Sequence, residues 1–410
     1  MGKGSFLRAA LIAAFVTAAS LFVLVSVGAA SVSVSVACSS SSLISAIASA
    51  NSSGGGTINL ASGCHYALTT PDNGENGLPV VTSRINVNGN GATIDGTNSV
   101  RVLEVDGPGG NLSLKDVTIT GGSAADFGGG IANIDGAVAL NHSRVTGNTA
   151  VVAGGGIASA TFDPSSVAKL TLNNSAVSDN QQTLDGLDGG LGGGGILNIL
   201  GTVSLNGGGI ASGNGNGGFP PGTSQLRLNN SQVDGNTATA AGGEGPPIAA
   251  GGIANGSDAV LNNTEVDDNT ASHTSGAGIV NHGTMSLNNS EVNGNTAAGS
   301  GLLASGGGIL NAQGPPGAGT VTLTLNNSRV NNNSAGGDGG GIANGVPFPG
   351  PMPLVGGTVT LRNSQVTGNH AAHGGGIFNS GGTVTLSNTA VTGNVVDNCE
   401  PTGTIAGCTA

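Results

Sequence analysis

The chain has 410 residues, of which 78 are glycine and 8% are charged, with no tryptophan and one tyrosine. This composition excludes a thick core filled by bulky aromatic side chains. The formal net charge of −12 disfavours nucleic acid and anionic lipid as partners, because both repel a negative surface. Glycine at this level often accompanies disorder, yet the 37% of hydrophobic residues recur at regular places. These features together indicate a thin, elongated core built from small layers.

Residues 1–30 have the pattern of a secretory signal. Lys3 and Arg8 precede an apolar run that ends in small residues suited to cleavage. Cleavage would take the formal net charge from −12 to about −14, because it removes two positive charges. The apolar run is long for a signal, so an uncleaved membrane anchor is the alternative. No other part of the sequence predicts a contact with a membrane.

Four cysteines, Cys38, Cys64, Cys399 and Cys408, lie near the two ends of the remaining chain. An even number in an exported chain favours disulfides, and the natural pairing joins Cys38 to Cys64 and Cys399 to Cys408. Each bridge would clamp an end of the structure, where fraying is strongest. The chain has no C-x-x-C spacing, so these cysteines do not predict a zinc site.

The middle of the chain repeats a seven-residue phrase, Asn–(Ser/Thr)–x–Val–x–x–Asn, usually preceded by a glycine phrase of the type GGGI-x-N. Successive phrases start at variable distances, and the extra residues fall outside the phrase, as in a coiled structure whose loops differ in length. The complete copies begin at Asn174, Asn230, Asn263, Asn289, Asn327, Asn363 and Asn388 and end at Asn180, Asn236, Asn269, Asn295, Asn333, Asn369 and Asn394. An eighth copy begins at His142 and ends at Asn148.

Each repeat predicts three short strands. Val and Leu alternate with Thr in TVTL at 358–361, which is the period of a strand with one buried face. The glycine phrase and the Val of the seven-residue phrase supply further inward positions. Such short strands must stack on neighbouring turns to bury their apolar faces. The sequence therefore predicts an all-β fold, a single-stranded parallel β-helix of roughly eleven or twelve rungs, about 4.8 Å apart.

The repeated Asn residues have a structural interpretation. At a bend between strands, an inward Asn side chain can bond to backbone amides and to the Asn one rung above or below. We therefore expect the Asn residues that begin and end the phrases to form ladders of amides rather than to bind a ligand.

The two ends of the β-helix are expected to be covered. The run SSSSLISAIASAN at 39–51 places Leu43, Ile44 and Ile47 at helical spacing behind serines suited to an N-cap. This predicts a short capping helix, because an open end exposes apolar interior and strand edges. The predicted organisation is a cap with the first strands at 31–83, β-helix repeats at 84–396 and a disulfide-clamped tail at 397–410.

With these phrases, the chain resembles the polymorphic outer membrane protein repeats of the pectin-lyase-like superfamily of secreted β-helix proteins. GGGI-x-N and V-x-x-N occupy the places of that group's paired phrases over about residues 84–396. The resemblance implies a right-handed coil, in agreement with the crossover rule for parallel strands. The segment around Cys38 and CHYAL at 64–68 is similar to the CSLREA cap but lacks its Arg-Glu pair, so only a capping role is implied.

Enzymes of the superfamily that the chain resembles cleave acidic polysaccharides with calcium-holding carboxylates and a basic residue, or with clustered Asp residues. Arg101, Asp106 and Lys115, from the densest early group of charges, are the catalytic candidates, but a solvated surface near the cap is the simpler interpretation. Asp185 and Asp188, in a glycine-rich loop, are the calcium candidates, although their pattern does not repeat.

The sequence favours an exported, non-catalytic surface or matrix protein, adhesive or glycan-binding, with an extracellular polysaccharide or a cell surface as partner. A polysaccharide lyase or glycoside hydrolase is the alternative. Few aromatic residues are present to form a carbohydrate platform, which weakens the glycan hypothesis. Ice binding would need rows of Thr-x-Thr, and outward pairs such as Gln225/Arg227 interrupt them. Calcium is the one cofactor considered, and the oligomeric state is left open.

Overall fold

The structure is a computed structural model that describes residues 33–152, 154–163, 165–185, 191–199, 202–206, 225–241, 248–255, 258–313, 320–347 and 355–409. Over these residues the chain forms a parallel β-helix with one α-helix, which confirms the predicted fold class. None of the helices in the described ranges is long and apolar enough to span a membrane. The signal pattern at 1–30 and the calcium candidate Asp188 lie outside these ranges.

The largest sheet of the described chain has 22 strands in two rows, the TVTL row and the V row, which meet at a bend. The TVTL row contains β1 (Ser33–Val36), β2 (Gly55–Leu60), β9 (Ala137–Asn141), β13 (Lys169–Asn173), β18 (Thr202–Asn206), β19 (Gln225–Asn229), β24 (Asp258–Asn262), β28 (Thr284–Asn288), β32 (Thr322–Asn326), β36 (Thr358–Arg362) and β39 (Thr383–Ser387). The V row contains β3 (His65–Ala67), β10 (Arg144–Thr146), β14 (Ala176–Ser178), β20 (Gln232–Asp234), β25 (Glu265–Asp267), β29 (Glu291–Asn293), β33 (Arg329–Asn331), β37 (Gln365–Thr367) and β40 (Ala390–Thr392). Two longer strands, β4 (Arg84–Asp95) and β6 (Asn111–Thr120), run through both rows.

Two further faces complete the coils. The Thr-Ala sheet contains β7 (Ser123–Ala124), β11 (Thr149–Ala150), β15 (Gln181–Asp185), β21 (Thr237–Ala241), β26 (Thr270–Ser272), β30 (Thr296–Ala298) and β34 (Ser334–Ala335). The glycine phrases form two sheets, one of β5 (Leu103–Asp106), β8 (Ile131–Ile134), β12 (Ile157–Ala160) and β17 (Ile196–Ile199), and one of β23 (Ile253–Asn255), β27 (Ile279–Asn281), β31 (Ile309–Asn311), β35 (Ile342–Asn344), β38 (Ile377–Asn379) and β41 (Cys399–Glu400). The remaining elements are the paired strands β16 (Leu191–Gly193) and β22 (Ile248–Ala250) and a 3₁₀ turn at Gly301–Ala304.

A regular coil therefore has four strands rather than the three predicted. The Thr-Ala strand was missed because most of its copies have two or three residues, which are too few to show an alternating pattern. It follows directly after the Asn that ends the seven-residue phrase, where the chain turns towards the next face.

Equivalent residues of successive coils lie over one another. Leu287 pairs in register with Leu261 on one side and Leu325 on the other, although the loops between them differ in length. All three side chains are buried, so the core is a stack of apolar layers about 4.8 Å apart. Beside this core, the backbones of neighbouring coils approach so closely that position 307 requires Gly. A Cβ on Gly307 would lie 2.4 Å from the carbonyl oxygen of Ser334.

A helix covers the first end of the stack, and the last segment of the chain packs against the other end. At the first end, α1 (Ser40–Ser52) starts at Ser39, whose side chain accepts a hydrogen bond from the Ser42 N–H. Its buried side chains Leu43, Ala46, Ile47 and Ala50 face the core. Disulfides join Cys38 to Cys64 and Cys399 to Cys408, and Ile405 in the last segment is buried against the core.

Candidate functional site

The Asn that ends each phrase is held inside the coil. The Asn295 Nδ2 donates to Asn333 Oδ1 at 2.8 Å and to the Val266 carbonyl oxygen at 2.8 Å. The Asn295 Oδ1 accepts from both the backbone N–H and the Nδ2 of Asn269, each at 3.0 Å. Equivalent side-chain bonds join Asn148 to Asn180, Asn236 to Asn269, Asn333 to Asn369 and Asn369 to Asn394. These amides bond to the protein itself and connect one coil to the next.

The Asn that begins each phrase lies differently from our expectation. These side chains are exposed rather than inward, because the residue adopts a left-handed φ of 48–50° at the bend between the two rows. Asn accepts this conformation more readily than most residues. Some of these side chains bond along the surface, as between Asn263 and Asn230 at 3.2 Å. The exposed set comprises Asn174, Asn230, Asn263, Asn289, Asn327, Asn363 and Asn388.

A second buried ladder was not predicted. The Asn of the glycine phrase donates through Nδ2 to its equivalent on the next coil at 2.8 Å. The only indication of this ladder in the sequence was the repeated Asn at the end of the GGGI-x-N phrase. The ladder runs through Asn255, Asn281, Asn311, Asn344 and Asn379.

The exposed left-handed residues form one wall of a polar groove, which has a volume of about 630 Å³ and runs along the coil axis from β6 to β25. Across these successive coils it is roughly 20 Å long, given the spacing of parallel strands. The first wall contains Asp116, His142, Asn174, Asn230 and Asn263, and the opposite wall contains Thr118, Arg144, Ala176, Gln232 and Glu265. Among the described residues, no Phe, Tyr or Trp side chain lines it.

The floor of the groove is formed by small, buried hydroxyl side chains. The Ser143 N–H donates to Ser175 Oγ at 3.1 Å, and the Ser175 hydroxyl donates to the Asn173 carbonyl oxygen at 2.9 Å. These bonds fix the floor between the walls. The side chains that can reach a ligand are therefore those of the walls.

Next to the groove lies an acidic face, defined as Asp179, Asp234, Glu265, Asp267, Asp268 and Glu291. Asp234 is in register with Asp267, and Glu265 is in register with Glu291. Burial, followed by the charges of Glu265 and Glu291, raises the pKa of Asp267 to about 7. Burial also raises the pKa of Asp234, as does the nearby charge of Asp268.

Asp267 and Asp268 are neighbours in the chain, and their charges interact. The strand β25 ends at Asp267, and Asp268 has a left-handed φ of 52°, so strand alternation does not apply to the pair. The charge of Asp268 accordingly contributes to the raised pKa of Asp267. One carboxylate oxygen of Asp267 is buried without a hydrogen-bond partner among the described residues.

The catalytic candidates named from the sequence are not brought together. Arg101 is buried, and its Nη1 donates to Glu104 Oε2 at 3.0 Å and to Asn76 Oδ1 at 2.9 Å. The Arg101 guanidinium also forms an ion pair with Asp126, so it has a structural role. Asp106 and Lys115 are exposed on different strands.

The structure gives no support to a metal site in the described residues, where no group of three or more His, Cys, Asp or Glu side chains could hold an ion. Asp185 ends β15, and the other calcium candidate, Asp188, is outside the described residues.

Near the last coil, the His373 Nδ1 lies 3.3 Å from Glu400 Oε2. Burial raises the pKa of Asp338, whose backbone pairs with that of His373.

Comparison of the chain with models of protein families, with curated proteins and with solved structures found no match. The interpretation of function therefore depends on the groove and on the residues around it.

Proposed function

We propose that the chain is an exported, non-catalytic β-helical protein of a cell surface or extracellular matrix that binds polysaccharide in the groove. The observation that carries this proposal is the groove itself, which runs along the bend over several coils and is walled mainly by polar side chains. Parallel stacking repeats these walls about every 4.8 Å, so the groove suits an extended polymer better than a compact small molecule.

The chemistry of the walls fits hydroxyl-bearing ligands. Asn174 and Asn230 carry amides on one side, and Gln232 carries an amide on the other. Amides both donate and accept, so they can pair with sugar hydroxyls in either direction. No Phe, Tyr or Trp ring of the described part of the chain lines the groove, and we expect affinity to come from several adjacent coils acting together.

Export is supported by two features of the chain. The disulfides Cys38–Cys64 and Cys399–Cys408 suit an oxidising compartment outside the cytosol. The signal pattern at 1–30 supplies a route to that compartment. The resemblance to the right-handed pectin-lyase-like proteins, and more narrowly to polymorphic outer membrane protein repeats, supports a role at a surface.

A polysaccharide lyase or glycoside hydrolase is the second candidate function. One observation favours it: Asp116, His142 and Arg144 line the same end of the groove. A carboxylate, an imidazole and a guanidinium are groups that acid–base catalysis can use. If the protein is such an enzyme, replacing His142 by Ala should abolish cleavage while leaving binding in place.

The test is a panel of soluble polysaccharides scored for both binding and cleavage, with and without calcium. The variant Gln232→Trp places a bulky side chain in the groove wall. Gln365→Trp is the matched control, because Gln365 is the equivalent exposed residue on β37, beyond the groove. We expect binding to be lost only in Gln232→Trp, with no cleavage by either protein. The absence of binding to every polymer would overturn the proposal.

A further inference from the structure

We infer that the polymer taken by this groove carries amino groups, so that its class is a linear cationic polysaccharide. This inference depends on the proposed function, because it names the ligand of the same groove. It rests on the distribution of charge along one wall and not on the overall charge of the chain.

The groove opens onto carboxylates along one side. Glu265 is the last residue of the V-row wall, and it belongs to both the groove and the acidic face. Its side chain accepts a hydrogen bond from Gln232 Nε2 at 2.8 Å, which holds the carboxylate beside the wall. A polymer that lies in the β25 end of the groove therefore contacts negative charge on the V-row side.

The carboxylates lie in pairs of like charge. Glu265 faces Glu291 on the next coil, and Asp234 faces Asp267 in the same way. Like charges directly opposite each other on adjacent strands are destabilising. In the column of Asp234 and Asp267, the later coils have the uncharged residues Asn293, Asn331 and Thr367. A bound cation would relieve the repulsion between the paired carboxylates.

The nearest positive side chains do not neutralise this face. Arg144 is on the groove wall at its opposite end, and Arg329 is in register with Glu291 at the far edge of the acidic face. Lys169 and Arg227 project from the TVTL row, on the other side of the bend. The V-row side is therefore negative at the β25 end of the groove, through Glu265 and the acidic face beside it, and an amino group is favoured there.

One acceptor in the acidic face has no partner in the described structure. An oxygen of Asp267 is buried without a hydrogen bond, while its neighbours Asp234, Glu265 and Glu291 supply only further negative charge. A protonated amine could donate to the exposed carboxylates of Glu265 and Asp234, and the resulting bonds would be charge-assisted. A polymer of acidic sugars would instead add to the repulsion.

The experiment compares three soluble probes by calorimetry: a glucosamine oligomer, its N-acetylated neutral counterpart and an oligogalacturonate. We expect the glucosamine oligomer to bind most tightly and the anionic oligomer least. The variant Glu265→Gln/Glu291→Gln should lose about fivefold to tenfold in affinity for the glucosamine oligomer and keep its affinity for the neutral one. Added salt should weaken only the binding of the glucosamine oligomer.

The matched control is Asp72→Asn/Asp106→Asn, which removes two exposed carboxylates away from the groove and should bind like the unchanged protein. Equal binding of the cationic and neutral oligomers, or equal effects of the two double variants, would overturn this inference and leave polysaccharide binding in place. Tightest binding of the oligogalacturonate would also overturn it. If none of the three probes binds, the proposed function itself fails.

Discussion

The two Asn residues of each phrase have the same chemistry but different environments, and the backbone conformation decides between them. At the end of a phrase, the backbone directs the amide into the coil, where the buried side chain of Asn295 makes five hydrogen bonds. At the start of a phrase, a left-handed φ turns the amide of Asn289 towards solvent. Substitutions at the two positions should therefore differ in their effect.

Replacing Asn295 by Ala should lower the free energy of unfolding by about 2–4 kcal/mol, because the Asn269 N–H and Nδ2 would lose their acceptor while remaining buried. Replacing Asn289 by Ala should cost only about 1 kcal/mol, mainly through the left-handed backbone. Urea denaturation of the two variants beside the unchanged protein measures both values. Equal losses would show that the buried ladder has no special role.

Asp267 should make the protein less stable as the pH rises. Its folded-state pKa of about 7 lies above its ordinary value of 3.8, so folding favours the protonated carboxyl. Below pH 3.8 the Asp267 carboxyl is protonated in both the folded and the unfolded protein, so it costs no stability. Between about pH 4 and pH 7 the unfolded chain ionises first, and the stability contributed by the neutral group is lost.

The variant Asp267→Asn should therefore have the same melting temperature as the unchanged protein near pH 4 and a higher one, by a few degrees, near pH 8. Thermal unfolding followed by circular dichroism across this range gives the difference. Asp258→Asn, an exposed carboxylate on the TVTL row, serves as the control. A difference that does not change with pH would contradict this account of Asp267.

Among the strands and the cap, the elements that could be predicted are those with a clear local pattern of apolar residues in the sequence. The alternation in β36 and the helical spacing of Leu43 and Ile47 are local patterns, and both elements are present. Most of the Thr-Ala strands, with two or three residues, are too short to carry such a pattern. Cysteine positions at the two ends were enough to predict both disulfides, which the structure contains.

The groove could not be predicted from the sequence, because neighbouring residues of each wall are about 25 to 60 positions apart in the chain. The loops between the coils differ in length, so these spacings are irregular. Asn230 and Asn263 become neighbours only when the register of the coils is known. The charged residues around Arg101 show the reverse: residues that are close in the sequence need not form one site. Arg101 is close in sequence to Asp106 and Lys115, but its burial and its bonds to Glu104 separate it from them.

The Cys399–Cys408 disulfide should stabilise the last coil more than the rest of the molecule. It closes a short loop that holds β41 against β38 and Ile405 against the core. The chain-entropy model assigns such a loop about 2–3 kcal/mol. Replacing both cysteines by Ser should speed amide exchange in Ile377–Asn379 and leave Ile253–Asn255, several coils away, unchanged. Uniform acceleration along the chain would show that the coils unfold as one unit.

At the scale of the whole molecule, each coil contacts only its neighbours, so a binding surface can extend over several coils without any special loop. The same stacking that buries Leu261 and Leu287 aligns Asn230 with Asn263 at the bend. Architecture and proposed function therefore depend on one property, the register of successive coils. If the register changes, the groove is lost together with the core.

The most direct test of this account is a crystal structure of the protein with a glucosamine oligomer bound. We expect density for the sugar chain along the bend between Asn174 and Glu265, parallel to the coil axis, with its amino groups towards the carboxylates of the V row. Density on another face, or coils whose Asn side chains are not stacked, would contradict the account.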